Sequence, residues 1–198
     1  MFTRLTLLLC IVFVASFASA CQSAETVAPE PTPIQWQRVT FFATLLQPGF
    51  AINVPAHWHY EVSDTDIIIF NYPRLLDLQD DGAELPAGSV VANLTILSAA
   101  DVQRLGARNA ASIIDAFIGA AADDAPGPRY SAAETIEIND RDNAQSYVSV
   151  GGSDSLLLAL ELSGNYVLAI IVAPDGELQR ESDLLNQIFA SIELRVSD

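Results

Sequence analysis

His57 and His59 stand two residues apart, and Glu61 continues the row. They are the chain's two histidines. Imidazole nitrogens and carboxylate oxygens are the donors of zinc and other divalent-metal sites. In an extended segment the period of two puts all three side chains on one face, neighbours about 6.6 Å apart and the ends about 13 Å apart. Two imidazoles can then share one Zn²⁺ at bonds of about 2.1 Å, but Glu61 cannot easily join both. A third ligand must come from a neighbouring strand or loop. The competing reading needs no metal: Trp58, Tyr60 and Val62 face the core, and His57, His59 and Glu61 face water, as on any half-exposed strand.

A second constellation, Asp77, Gln79 and Asp81 followed by Gly82, resembles the start of a calcium loop. Gln79 stands where Asp or Asn is usual, and the twelfth position is Gly88 in place of a bidentate Glu. Flanking helices are not apparent, so the favoured reading is an acidic surface loop. Other chemistries find little support. Gly151-Gly152-Ser153-Asp154-Ser155 lacks the second glycine of a nucleophile elbow and reads as a turn between strands. A phosphate loop needs a lysine, and all nine basic residues are arginine. Asn139 to Asn143 reads as a turn, because Asn and Asp bond their own backbone. Asn93-Leu94-Thr95 matches a glycosylation sequon in mid-strand, where it carries no function.

The elements that must position these residues follow from periodicity. Val39 to Leu46 is rich in strand formers, and Gln47-Pro48-Gly49 is a turn. Strands are expected over Phe50–Val54, Trp58–Val62, Ile67–Tyr72 and Ser89–Leu97. Leu75 to Gly88 is acidic and irregular. Helical periodicity follows, with a short helix over Asp101–Leu105. A longer one over Asn109–Ala122 buries Ala110, Ile113, Ile114, Phe117 and Ala121. Strands return over Glu134–Ile138, Gln145–Val150, Ser155–Leu162 and Tyr166–Val172, the last two joined by a short hairpin at Ser163-Gly164-Asn165. Ser182–Ile192 forms a final helix with Leu185, Ile188, Phe189 and Ile192 inward. Leu156–Leu160 and Val167–Val172 are almost continuously apolar, so both faces of those strands must be covered. The expected fold class is α+β: an α-β-α sandwich with a largely antiparallel sheet covered by helices.

The N-terminus reads as an address. One arginine, a thirteen-residue apolar stretch over Leu5–Phe17 and the small residues Ala18-Ser19-Ala20 have the three-part layout of an export signal. The apolar stretch falls short of the ~20 residues of a membrane span. Ala18-Ser19-Ala20-Cys21 resembles the lipobox of bacterial lipoproteins, with Ala18 where Leu is usual. That resemblance implies a diacylglyceryl group on Cys21. Cys10 lies inside the signal, so lipidation explains the single cysteine of the mature chain; ordinary cleavage to a secreted soluble form is the alternative. The domains are thus a signal peptide at 1–20, a lipidated Cys with a Pro-rich tether at 21–36, and one globular domain at 37–196. The extended residues 22–33 reach at most about 37 Å.

Pro48-Gly49-Phe50-Ala51-Ile52-Asn53-Val54-Pro55 followed by Trp58 is similar to the entry of PsbP-like domains. Gly164-Asn165-Tyr166-Val167-Leu168, an acidic break and a helix ending Phe189-Ala190-Ser191-Ile192 extend the resemblance over residues 37 to 195. It implies an α-β-α sandwich serving mostly non-enzymatic binding, accessory and assembly roles. The net charge of −16 excludes the basic stripe of a nucleic-acid binder and a basic grip on anionic lipid heads. Attachment then falls to acyl chains, at ~0.8 kcal/mol per buried CH₂. The expectation is an exported lipoprotein on the outer side of a cell membrane, a non-catalytic binding or accessory module. Its partners are the membrane, through the acyl chains on Cys21, and a membrane or envelope protein. No cofactor is expected unless His57, His59 and Glu61 hold Zn²⁺ or another divalent metal. A further alternative is an apolar ligand between sheet and helix, although large apolar side chains on both faces favour a filled core.

Overall fold

In the computed structural model the described residues are 33–42, 48–73, 75, 84–124 and 130–195. The signal, Cys21, the tether up to residue 32, and Asp77, Gln79 and Asp81 lie outside them. From Ile34 onward the described residues belong to one compact unit.

Alternating and doubly apolar segments form the strands. These are β1 (Trp36–Phe41), β2 (Gly49–Pro55), β3 (His59–Val62), β4 (Asp66–Phe70) and β5 (Val91–Leu97). After the helices α1 (Ala99–Arg104) and α2 (Ala110–Asp124) come β6 (Glu134–Ile138), β7 (Arg141–Val150), β8 (Ser153–Leu162) and β9 (Asn165–Pro174). The short α3 (Glu177–Arg180), α4 (Ser182–Ala190) and β10 (Glu193–Arg195) close the chain.

Seven strands make an antiparallel sheet in the order β3-β4-β5-β9-β8-β7-β6. The doubly apolar β8 and β9 sit inside it, as their composition requires. Leu157, Ala159 and Leu168 meet Val102, Ala110, Ile113 and Ile114 of the α1–α2 layer. Leu158, Leu160, Val167, Ala169 and Ile171 point the other way, into a larger core with Phe50, Ile52, Leu185 and Ile188. The sandwich therefore has the expected class. Its second outer layer is mixed, however: α3 and α4 share it with a separate three-stranded sheet, β1-β2-β10.

Three connections are tighter than expected. The β6–β7, β7–β8 and β8–β9 hairpins each turn through two residues, Asn139-Asp140, Gly151-Gly152 and Ser163-Gly164, all at positive φ. Such turns match the twist of the paired strands. Arg141 to Asn143 are therefore strand, not turn.

The helix layer is anchored by reciprocal caps. Ser98 Oγ accepts from the Asp101 amide at 3.2 Å while the Asp101 carboxylate accepts from the Ser98 amide at 2.9 Å, a capping box that satisfies two free amides. The hydrogen bond from the Ser98 hydroxyl, with Arg104 beside it, holds the Asp101 carboxyl below its ordinary value despite partial burial. Asn109 Oδ1 likewise accepts from the Ser112 amide at 2.9 Å, and Ser112 Oγ accepts from the Asn109 amide at 3.0 Å. These caps fix where α1 and α2 begin, and α1 ends at Leu105, whose amide donates to the Asp101 carbonyl at 3.0 Å.

Candidate functional site

The histidine row is not one strand face. His57 lies in a turn, β3 begins at His59, and all four residues of β3 are exposed. Trp58 is buried, as expected, but Tyr60 and Val62 are 46% and 44% exposed. The reason is position: β3 is the edge strand of the large sheet, and no apolar cluster among the described residues includes its side chains. His59 packs its ring on Phe70 of β4, centroids 5.5 Å apart. Among the described residues no group of three His, Cys, Asp or Glu side chains converges on a point that could hold a metal. His57, His59 and Glu61 thus receive no third donor from a neighbouring element there.

A different place gathers concave surface and unmet polarity. Between the sheet and the α1–α2 layer lies a cavity of about 260 Å³. Its floor is Asn93 and Thr95 of β5 with Leu168 and Ile170 of β9, and its helix side is Ile113 and Phe117. The floor follows from register: Asn93 pairs with Ile170 and Thr95 with Leu168, and paired residues share a face. The partners Ala92, Leu94 and Ile96 point into the larger core. β5 therefore turns its two small polar side chains toward the helices, where apolar residues would have filled the gap. Leu105, held by the α1 cap and 45% exposed, stands at the edge.

Asn93 Oδ1 is buried without a hydrogen-bond partner. A buried carboxamide oxygen left unpaired costs about 1–3 kcal/mol. An apolar chamber with one unmet acceptor suits a small apolar group that carries a donor. A cavity of about 150 Å³ holds a benzene ring, so the larger space here accommodates a fused ring or a short acyl segment. The sequence reading placed Asn93 and Thr95 on one face of the strand over Ser89–Leu97 and, with Leu94, in a sequon, but not in a site. The usable signal was the alternation itself: two polar residues on the face of an inner strand that a helix must cover.

Comparison with known proteins identifies the fold. The solution structure of cyanobacterial PsbP (CyanoP) from Synechocystis sp. PCC 6803 superposes with a TM-score of 0.52 at 13% identity, over 84% of this chain and 96% of that one. The chain thus has the PsbP-like α+β fold. LpqN of Mycobacterium tuberculosis, described as involved in cell envelope biogenesis, gives a TM-score of 0.44 at 16% identity, over 82% of this chain and 92% of that one. The Ran-binding protein Mog1p of Saccharomyces cerevisiae gives 0.45 at 12% identity, over 81% and 96%. No family model and no curated protein matches the chain in sequence.

Proposed function

We propose that the chain is an exported, lipid-anchored, non-catalytic binding module, and that the cavity over Asn93 receives its ligand. The observation that carries the binding reading is the unpaired Asn93 oxygen in a chamber whose other lining, Thr95 apart, is apolar. The address supports the location: an export-signal layout ends in Cys21. No helix among the described residues is long and apolar enough to cross a membrane, so acyl chains on Cys21 would provide the attachment. The ligand class follows from the chamber: an apolar ring or chain with one hydrogen-bond donor.

Indole and indene are matched probes, since they share shape and differ in the N–H donor. Amide-NMR titration of the full-length chain is expected to shift β5, β9 and α2 resonances, with indole bound about tenfold more tightly than indene. In Asn93→Leu the two are expected to bind alike, and the protein to gain about 1 kcal/mol because the unmet oxygen is gone. Equal binding of both probes to the wild type, or no shifts around Asn93, overturns the ligand assignment. The anchor is tested separately by intact mass of the chain extracted from membranes. The expected species begins at Cys21 and carries the added mass of a diacylglyceryl group. An unmodified Cys21 at the N-terminus overturns lipidation in favour of secretion.

A further inference from the structure

On the opposite face of the large sheet, where β7 and β8 meet the turn from β9 into α3, lies a second concavity of about 430 Å³. Tyr147, Asp154, Leu156, Asp175 and Leu178 line it. Asp154 is 2% exposed. Its Oδ2 accepts from the Gly176 amide at 2.7 Å, which ties β8 to the turn where Gly176 has a φ of 76°. Its Oδ1 is buried with no hydrogen-bond partner. Burial pushes the Asp154 carboxyl up, but the Tyr147 hydroxyl, the Gly176 amide and Ser149 beside it outweigh burial and hold the group below its ordinary value, although neither hydroxyl comes within hydrogen-bond distance of Oδ1. The carboxylate is therefore ionised at neutral pH. An ionised, half-paired carboxylate is costly to bury unless something completes it.

Its surroundings narrow what that something is. No arginine of the described chain reaches it: Arg180, one helix away, is paired with Glu177 at 2.7 Å. Asp154 and Asp175 belong to no group of three donors that could hold a metal among the described residues. Tyr147 is 42% exposed and lines the cleft beside Asp154, so its ring is no part of the packed core. The concavity also runs on, sharing Leu156 and Leu178 with a hollow of about 160 Å³ lined mostly by apolar residues such as Leu158, Leu185 and Phe189, with Gln145, Ser182 and Asn186 among them. A negative end thus adjoins an apolar trough, with an aromatic ring on one wall.

We propose that this cleft docks a basic side chain, arginine or lysine, of a protein partner. Its cationic head completes Asp154 Oδ1, and an apolar neighbour on the same segment occupies the trough. A guanidinium suits the site well, because it can bond Oδ1 while stacking on the Tyr147 ring. The net charge of −16 steers a basic partner toward the surface. A free small amine would leave the trough empty, which is why a protein segment is the occupant.

The test is calorimetric, with the full-length chain and the peptide acetyl-Gly-Arg-Leu-Gly-amide. The same peptide with citrulline keeps the shape and removes the charge. Charge recognition predicts binding about tenfold weaker for the citrulline peptide and for Asp154→Asn, which keeps an acceptor for the Gly176 amide. Asp175→Asn, at the rim, is expected to weaken the arginine peptide about threefold without changing the thermal melt. Equal affinity for both peptides, undetectable binding of either, or an Asp154→Asn protein that melts and binds like the wild type overturns the proposal. Cadaverine binding as tightly as the peptide overturns the assignment to a protein. The indole site lies on the other face of the sheet, so its titration reports separately whether the ligand cavity is right.

Discussion

Phe50→Ala is expected to lower stability by about 3–5 kcal/mol and the melting temperature by roughly 6–20 °C. Phe50 is fully buried at the centre of the small sheet. It pairs with Phe41 across β1 and with Leu194 across β10, and its ring stacks on Phe41 with centroids 5.7 Å apart. Below it lie the apolar side chains of the large sheet. Truncation removes one of the larger contacts between the two sheets, beside those of Phe41 and Ile52, and leaves a void deep in the layer. A melt followed by circular dichroism measures the effect, and a loss below about 1 kcal/mol shows that the small sheet is not part of the cooperative core.

Asn143→Ala is expected to cost about 2–4 kcal/mol, because one side chain removes partners from three backbone groups. Asn143 is fully buried. Its Nδ2 donates to Ile138 O and to Arg141 O, each at 3.1 Å. Its Oδ1 accepts from the Glu161 amide at 2.9 Å. The β7–β8 ladder stops at Ala144 and Ala159, so the carboxamide takes over where the backbone pairing ends. Asn143→Asp keeps the acceptor but turns a buried carboxylate toward two carbonyl oxygens, and is expected to cost at least as much as Asn143→Ala. Urea midpoints order the three proteins, and hydrogen exchange at the Glu161 amide speeds up in Asn143→Ala. A midpoint unchanged from the wild type would show that water replaces the carboxamide without cost.

These residues also show how far the sequence could be read. β8 and β9 were legible because Leu156–Leu160 and Val167–Val172 are apolar on both faces, a pattern that forces cover from two sides. The helix over 110–124 was legible because Ile113, Ile114 and Phe117 share one stripe. β10 was not: Glu193-Leu194-Arg195 is too short to carry a period, and only its pairing with β2 makes it a strand. The missing third strand is why one sheet was expected where there are two. Asn143 read correctly as a residue that bonds nearby backbone, but the two-residue turn before it moved it into a strand. Tyr60 and Val62 were expected inward from alternation alone, and alternation does not reveal that β3 lies on an edge. Asp154 was read as part of a turn over Gly151–Ser155, whereas β8 begins at Ser153, and its half-paired burial depends on Gly176, far along the chain. The unpaired oxygen of Asn93 is likewise created by what α2 fails to supply above it. The Asp154 site therefore rests on a relation between distant elements that no local pattern encodes, whereas at Asn93 the alternation along β5 was a local signal that lacked only the helix above it.

The separation in sequence of the small sheet's strands bears on the order of folding. β1 and β2 are near neighbours, but β10 joins β2 from the last residues of the domain, and Arg38 pairs with Glu193 across 155 positions. Contacts of such long range form late and slowly. A chain made from its N-terminus therefore holds Phe50 without its second flanking strand until β10 has been made. The small sheet closes only at that point, so its half of the core matures after the seven-stranded sheet has all of its strands.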